Sequence, residues 1–280
     1  MRFRKDAQLD TSEISDRRGQ RSLGLPVAGG GGIVGILVLL LTLYLNGGSS
    51  GTGTSGISVG GSQGDLSAQC QTGEDANQRA DCRIVGVVDS VQAYWGQRLT
   101  NYTKTSTVFF TDQTNTGCGG ATSSVGPFYC PNDKTVYIDL GFYDELRSRF
   151  GAKGGPFAEA YVIAHEYGHH VEDLMGLLDQ SQDGATGPNS GSVRIELMAD
   201  CFAGIWAKGA IDTGFIEELT DADIQDGLDA AAAVGDDRIQ QESQGRVNPE
   251  TWTHGSAQQR QDHFLVGFRQ GSVEACQSAS

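Results

Sequence analysis

The chain has 280 residues and a formal net charge of −15, with 35 Asp and Glu against 20 Lys and Arg. That length accommodates one good-sized domain with appendages. An acid excess of this kind excludes nucleic acid as a partner and suits a solvated ectodomain or basic substrates.

Positive charge is concentrated at the start, where Arg2, Arg4, Lys5, Arg17, Arg18 and Arg21 stand before Leu25. Residues 1–22 are short, polar and poor in apolar side chains, so they read as a disordered basic tail in the cytoplasm. Residues 23–45 carry no charge and have about the length a helix needs to cross the hydrocarbon core. The long segment in front, and no A-x-A site after Leu45, favour an uncleaved transmembrane helix over a signal peptide. The basic flank orients it: a single-pass protein of the cell membrane, N-terminus cytoplasmic, remainder extracytoplasmic. Residues 46–65 are rich in Gly, Ser and Thr and read as a tether. The folded domain is expected over 66–280.

Six cysteines, Cys70, Cys82, Cys118, Cys130, Cys201 and Cys276, all follow the apolar segment, and none forms a C-x-x-C pair. An even count on one side of an anchor predicts disulfides in an oxidising compartment. Pairing nearest neighbours joins Cys70 to Cys82 and Cys118 to Cys130, leaving Cys201 for Cys276, although sequence alone permits other connectivities.

Ile84, Val87, Val88, Val91, Tyr94, Trp95 and Leu99 recur at helical spacing, predicting an amphipathic core helix over Ala76 to Leu99. Two strands follow, Thr107 to Phe110 and Thr135 to Leu140. The second, VYIDL, is read either as a sheet edge on which an extended peptide docks or as an ordinary core strand. A short helix is expected over Phe142 to Phe150. Gly154, Gly155 and Pro156 then break the chain and place proline in a first helical turn, so the next helix should run from Pro156 to Met175 and stop near Gly176.

That helix carries VIAHEYGHH, with His165, Glu166 and His169 as an H-E-x-x-H. Positions four apart share a helix face, so both imidazoles can reach one tetrahedral metal while Glu166 faces a bound water. Zn2+ needs neutral nitrogen donors, an open position and a base beside it.

After a polar loop from Asp179 to Gly191, SVRIELMADCFAGIWAKG places Ile195, Met198, Ala199, Phe202, Ala203 and Trp206 at helical spacing. This predicts a buried helix that encloses Glu196 and Asp200, one turn apart. Buried carboxylates are costly unless paired or bound to a cation. Glu196 is therefore read as a third metal ligand. Asp200 is read as the acid that accepts the free ring N–H of a ligand histidine. The alternative puts both acids on a solvated face.

From Asp212 onward the chain reads as helical. Its acids are not spaced as a calcium loop, since Gln225 follows Asp221 and Asp223, and Thr220 or Asp221 capping a helix is the better account. His254, in TWTHGSAQQR, is a candidate donor to an oxyanion, against a purely structural role. His170 and His263 carry the same structural reading.

With H-E-x-x-H, E-L-x-A-D-C and T-H-G-S in this order, the chain resembles the neutral zinc metallopeptidase family of bacterial membrane-anchored proteins. The resemblance also covers DRRG at Asp16 to Gly19, the Gly-rich apolar segment, GPFYCP at Gly126 to Pro131, VYIDL, and GDDR at Gly235 to Arg238. It implies a zincin-like α+β fold, with His165, His169 and Glu196 as zinc ligands and Glu166 as base. Met198 departs from the glutamine of many relatives.

The expected activity is that of a membrane-anchored endopeptidase in which Glu166 deprotonates a zinc-activated water for attack on a peptide or protein substrate. Two alternatives belong to other classes. One is a closed structural zinc site that adds Cys201 as a ligand. The other is an inactive scaffold or assembly protein at the cell surface.

Overall fold

The computed structural model describes residues 1–19, 34–35, 66–178 and 184–279. In chain order the elements are β1 (Arg2–Phe3), β2 (Ile14–Asp16), β3 (Val34–Gly35), α1 (Leu66–Gln69), α2 (Gly73–Gln78), α3 (Ala80–Arg98) and β4 (Ser106–Phe110). A hairpin of β5 (Gln113–Thr116) and β6 (Gly119–Thr122) follows, then β7 (Phe128–Cys130), β8 (Thr135–Asp139), α4 (Phe142–Ser148), α5 (Pro156–Leu174) and α6 (Gly191–Gly209). Last come β9 (Ile216–Glu218), α7 (Asp221–Ala233), α8 (Asp236–Gln244), α9 (Ala257–Gln270) and α10 (Val273–Ala279). The class is α+β, with helices packed beside one mixed sheet.

Local chemistry sets the helix ends. Pro156 occupies the first turn of α5, and the chain leaves that helix through Gly176 at φ 68°. Ser190 caps α6 by accepting the Val193 N–H, and Thr220 caps α7 in a capping box with Asp223. The helix expected over Ala76 to Leu99 is two helices, because Arg79 adopts an extended conformation between them.

The sheet has the order β2-β4-β8-β7-β3. β2, β4 and β8 run parallel, whereas β7 is antiparallel to β8 and to β3. VYIDL is therefore an inner strand with β4 on one side and β7 on the other, so it offers no free edge for a peptide. Alternation identified the strand but carries no information on its neighbours.

The disordered tail is also corrected. Phe3 is 1% exposed, and a Cβ at Gly86 of α3 would lie 2.6 Å from its ring, so the phenyl fills a groove that glycine leaves open. The Phe3 backbone N–H donates to Asn77 Oδ1 at 2.9 Å, and Asn77 Nδ2 donates back to the Phe3 carbonyl at 3.0 Å. β1 pairs with β9, β2 adds a parallel strand beside β4, and the Met1 amino group meets Asp223. A segment too polar to fold alone is ordered here by completing two sheets and burying one aromatic ring.

Met1 to Gly19 thus pack on the domain as part of its fold. The expectation had residues 1–22 as a tail apart from the domain. The expected transmembrane helix, 23–45, and the tether, 46–65, lie outside the described residues, except that Val34–Gly35 is strand and not helix. Among the described residues no helix is long and apolar enough to cross a membrane.

Close helix crossings build the core that holds the site. A Cβ at Gly168 of α5 would meet the Ala199 backbone of α6 at 2.9 Å, and one at Gly267 of α9 would meet the Cys201 carbonyl at 1.9 Å. Side chains at these positions would hold α6 away from its neighbours. Disulfides join Cys70 to Cys82, Cys118 to Cys130 and Cys201 to Cys276, the last tying α6 to α10.

Candidate metal centre

α5 carries His165, Glu166 and His169, and α6, laid against it at Gly168, carries Glu196 and Asp200. One ligand atom from each of His165, His169 and Glu196 falls within 4.8 Å of the others. Nε2 of His165 is 3.2 Å from one Glu196 oxygen, and Nε2 of His169 is 3.6 Å from the other. All three side chains are buried.

These atoms approach one another without hydrogen-bonding. Nε2 of both histidines, one oxygen of Glu196 and both oxygens of Glu166 are buried and have no hydrogen-bond partner. Orphaned polar atoms of this kind are expensive unless something satisfies them together. Two imidazole nitrogens and a carboxylate facing one point suit a metal ion, and zinc in particular takes such a set with an open position.

The outward nitrogens are fixed by acids. Nδ1 of His165 lies 2.9 Å from Asp200, and Nδ1 of His169 lies 2.7 Å from Glu172. A carboxylate there holds the proton on Nδ1 and leaves Nε2 bare towards the metal point. Asp200 is bound further: Tyr161 donates its hydroxyl to it, and Arg260 Nε reaches its second oxygen at 2.8 Å.

Burial and close charges shift every titratable group of the cluster. Burial opposes charge on His165, but Asp200 and Glu196 outweigh it and raise its pKa to about 9. Burial dominates at His169 and lowers its pKa to about 3. Glu196 and Asp200 stay ionised: burial raises both, but His169 and His165 prevail at the first, Arg260 and His165 at the second. Glu166 and Glu172 are pushed well above the usual carboxylate range by burial. The cluster concentrates carboxylates around a point that calls for positive charge, and a divalent cation supplies it.

His254 comes close enough to Glu196 to lower its pKa, although it stands on a distant turn. Asp236 orients it. One oxygen of Asp236 accepts the backbone N–H groups of Thr253, His254 and Gly255, and the other lies 3.2 Å from His254 Nδ1. His170 faces elsewhere, towards the Thr103 carbonyl and the Tyr129 hydroxyl. His263 holds the carbonyls of Gln259 and Ala279. Cys201 is in a disulfide, which removes it from any closed structural zinc site.

Glu172, Tyr161 and Arg260 were not singled out from the sequence. The i,i+3 spacing of His169 and Glu172 on one helix was the available signal for the first. Arg260 offered none, since AQQRQD reads as a solvated stretch.

Two histidines and a glutamate around a point beside an unpaired acid define a metal-dependent class of protein. A family model described as "Putative neutral zinc metallopeptidase" matches residues 1–279, and the chain belongs to this family. It is similar to uncharacterized proteins of Mycobacterium tuberculosis and Mycobacterium bovis, each 55% identical over 223 residues, which is 77% of this chain and 76% of the relative. It is also similar to the uncharacterized protein YpfJ of Escherichia coli, 39% identical over 292 residues, 98% of each chain. No solved structure matches.

Proposed function

We propose that the protein is a zinc-dependent endopeptidase of zincin-like fold, with zinc held by His165, His169 and Glu196. The observation that carries this reading is Glu166: a buried carboxylate, both oxygens unpartnered, on the same helix as two imidazoles that face a third ligand. A structural metal site has no use for that acid. Bound there, zinc supplies Lewis-acid polarisation of a carbonyl and a lowered pKa for water.

The chain's own groups supply the remainder. Glu166 takes the proton of the attacking water and delivers it to the leaving amine. Its pKa, raised by burial, falls when a cation stands beside it, which keeps it a base at neutral pH. His254, held by Asp236, donates to the oxyanion. Asp200 and Glu172 hold the tautomers of the two ligand histidines.

The substrate in this reading is a peptide or protein. Tyr129 of β7 donates its hydroxyl to Asp173 at 2.8 Å, so β7 packs against the helix that carries Glu166. Three disulfides support an oxidising, extracytoplasmic location. Membrane attachment is supported by the composition of residues 23–45 alone. Cleavage of a peptide library by the wild type and not by Glu166→Gln tests the reading. A protein that binds zinc and cleaves nothing is the scaffold alternative.

A further inference from the structure

We propose that Arg260 of α9 is a positioning residue of the metal centre: its guanidinium fixes the carboxylate of Asp200, and through it the ring of His165, and so sets how tightly the metal is held. This role rests on the zinc reading of the site and not on peptide cleavage.

Arg260 is fully buried, and its donors work within one network. Nε lies 2.8 Å from Asp200 Oδ2 and Nη2 lies 3.0 Å from Oδ1, a two-pronged grip that leaves the carboxylate one orientation. Nη2 also donates to the Tyr161 hydroxyl at 3.2 Å, and that hydroxyl donates to Oδ1. Nη1 lies 3.4 Å from the Val234 carbonyl, just past the end of α7. Oδ1, placed in this way, faces Nδ1 of His165 at 2.9 Å. Arg260 therefore ties α5, α6 and α7 together directly behind one metal ligand.

Charge does not explain a guanidinium at this place. Nη2 is 4.0 Å from the orphaned oxygen of Glu196, and a fixed positive charge at that range disfavours a divalent cation. Geometry does explain it, because a planar fork matches both oxygens of a carboxylate and an ammonium does not. The other ligand histidine lacks such support. Glu172 faces Nδ1 of His169 at 2.7 Å, and its second oxygen has no partner. His165 is thus backed by a locked carboxylate and His169 by a half-satisfied one.

The helix crossing holds the root of the arginine side chain. Arg260, Phe264 and Gly267 share one face of α9, and that face lies on α6 with no room for a side chain between them. A Cβ at Gly204 would lie 2.8 Å from the backbone nitrogen of Phe268, and one at Gly267 would lie 2.9 Å from that of Ile205. The backbone of α9 is therefore fixed against the helix that carries both Glu196 and Asp200.

The test uses the full chain: wild type, Arg260→Lys, Asp200→Asn and the double variant. Lysine keeps the charge and loses the fork. Zinc affinity is read by competition with a chromogenic chelator, and the visible absorption of cobalt(II) placed in the site reads the ligand geometry, which a loss of stability alone does not move. Each single variant should bind zinc about 10- to 100-fold more weakly, the range for removing a partner of a metal-ligating histidine. The double variant should lose no more than the weaker single, since the arginine acts only through Asp200. Wild-type affinity and an unshifted cobalt spectrum in Arg260→Lys overturn the role, and losses that multiply in the double variant overturn the route through Asp200. Should Arg260→Lys not fold, Tyr161→Phe loosens the same carboxylate without touching a charge: weaker zinc binding supports the role, and wild-type affinity overturns it. A wild type that takes up no zinc overturns the metal centre itself.

Discussion

His169 holds Glu172, three residues further along the same helix, 2.7 Å from its Nδ1. The carboxylate is completely buried, and its other oxygen has no partner. Its place is explained by the ring nitrogen it faces: a proton kept on Nδ1 leaves Nε2 free for the metal point. Glu172→Ala should weaken zinc binding about 10- to 100-fold, measured by competition with a chromogenic chelator. Wild-type affinity in that variant would assign Glu172 a different role.

Arg260 is fully buried, with Nε 2.8 Å and Nη2 3.0 Å from the two oxygens of Asp200. Removing one member of a buried pair leaves the other charge uncompensated, at about 3–5 kcal/mol. Arg260→Met should therefore lower the unfolding free energy by that order in denaturant titrations. The double variant Arg260→Met/Asp200→Leu should recover part of it. A single variant as stable as the wild type would show that the pair contributes nothing net.

The N-terminal arm is held chiefly by one ring. Phe3→Ala empties the groove over Gly86 and should cost about 3–5 kcal/mol, the range for truncating a buried phenylalanine. Limited proteolysis should then cut within the first 19 residues while the body of the domain survives. An arm as resistant as in the wild type would mean that the β1 and β2 pairings hold it without the ring.

A pH dependence follows from Asp89, which accepts the Asp10 backbone N–H at 2.9 Å where α3 meets the arm. Burial raises its pKa from 3.8 to about 7, and the charges of Asp10 and Glu13 push the same way, against the Asp10 N–H and Lys104. The folded chain holds this proton more tightly than the unfolded chain does. The stabilisation is therefore complete below the unfolded value and is lost as pH rises through about 7. Asp89→Asn should flatten the melting temperature between pH 5 and pH 8, and stabilise at the upper end by on the order of 1–2 kcal/mol. An unchanged pH slope would place the titrating group elsewhere.

Much of the candidate site was legible because it is written in helical spacing. His165 and His169 share a face by their interval of four, and Glu196 with Asp200 stand out as acids in an otherwise apolar helix. Arg260 was not legible, since a lone arginine among glutamines looks the same in a sequence whether it faces water or Asp200. The ordered arm was hidden for a related reason: Phe3 gains its burial from Gly86 and Asn77, far along the chain. Strand character in VYIDL was visible, but its inner position depends on which strands flank it, and residue alternation does not encode that.

The most direct test of the central claim is zinc content together with peptide cleavage in the full chain, wild type beside Glu166→Gln. The account predicts one zinc per chain in both proteins, cleavage by the wild type, and a loss of about 10²- to 10⁴-fold in the variant. Zinc bound equally with cleavage undiminished in Glu166→Gln would contradict the assignment of the base, and a chain that takes up no zinc would contradict the site itself.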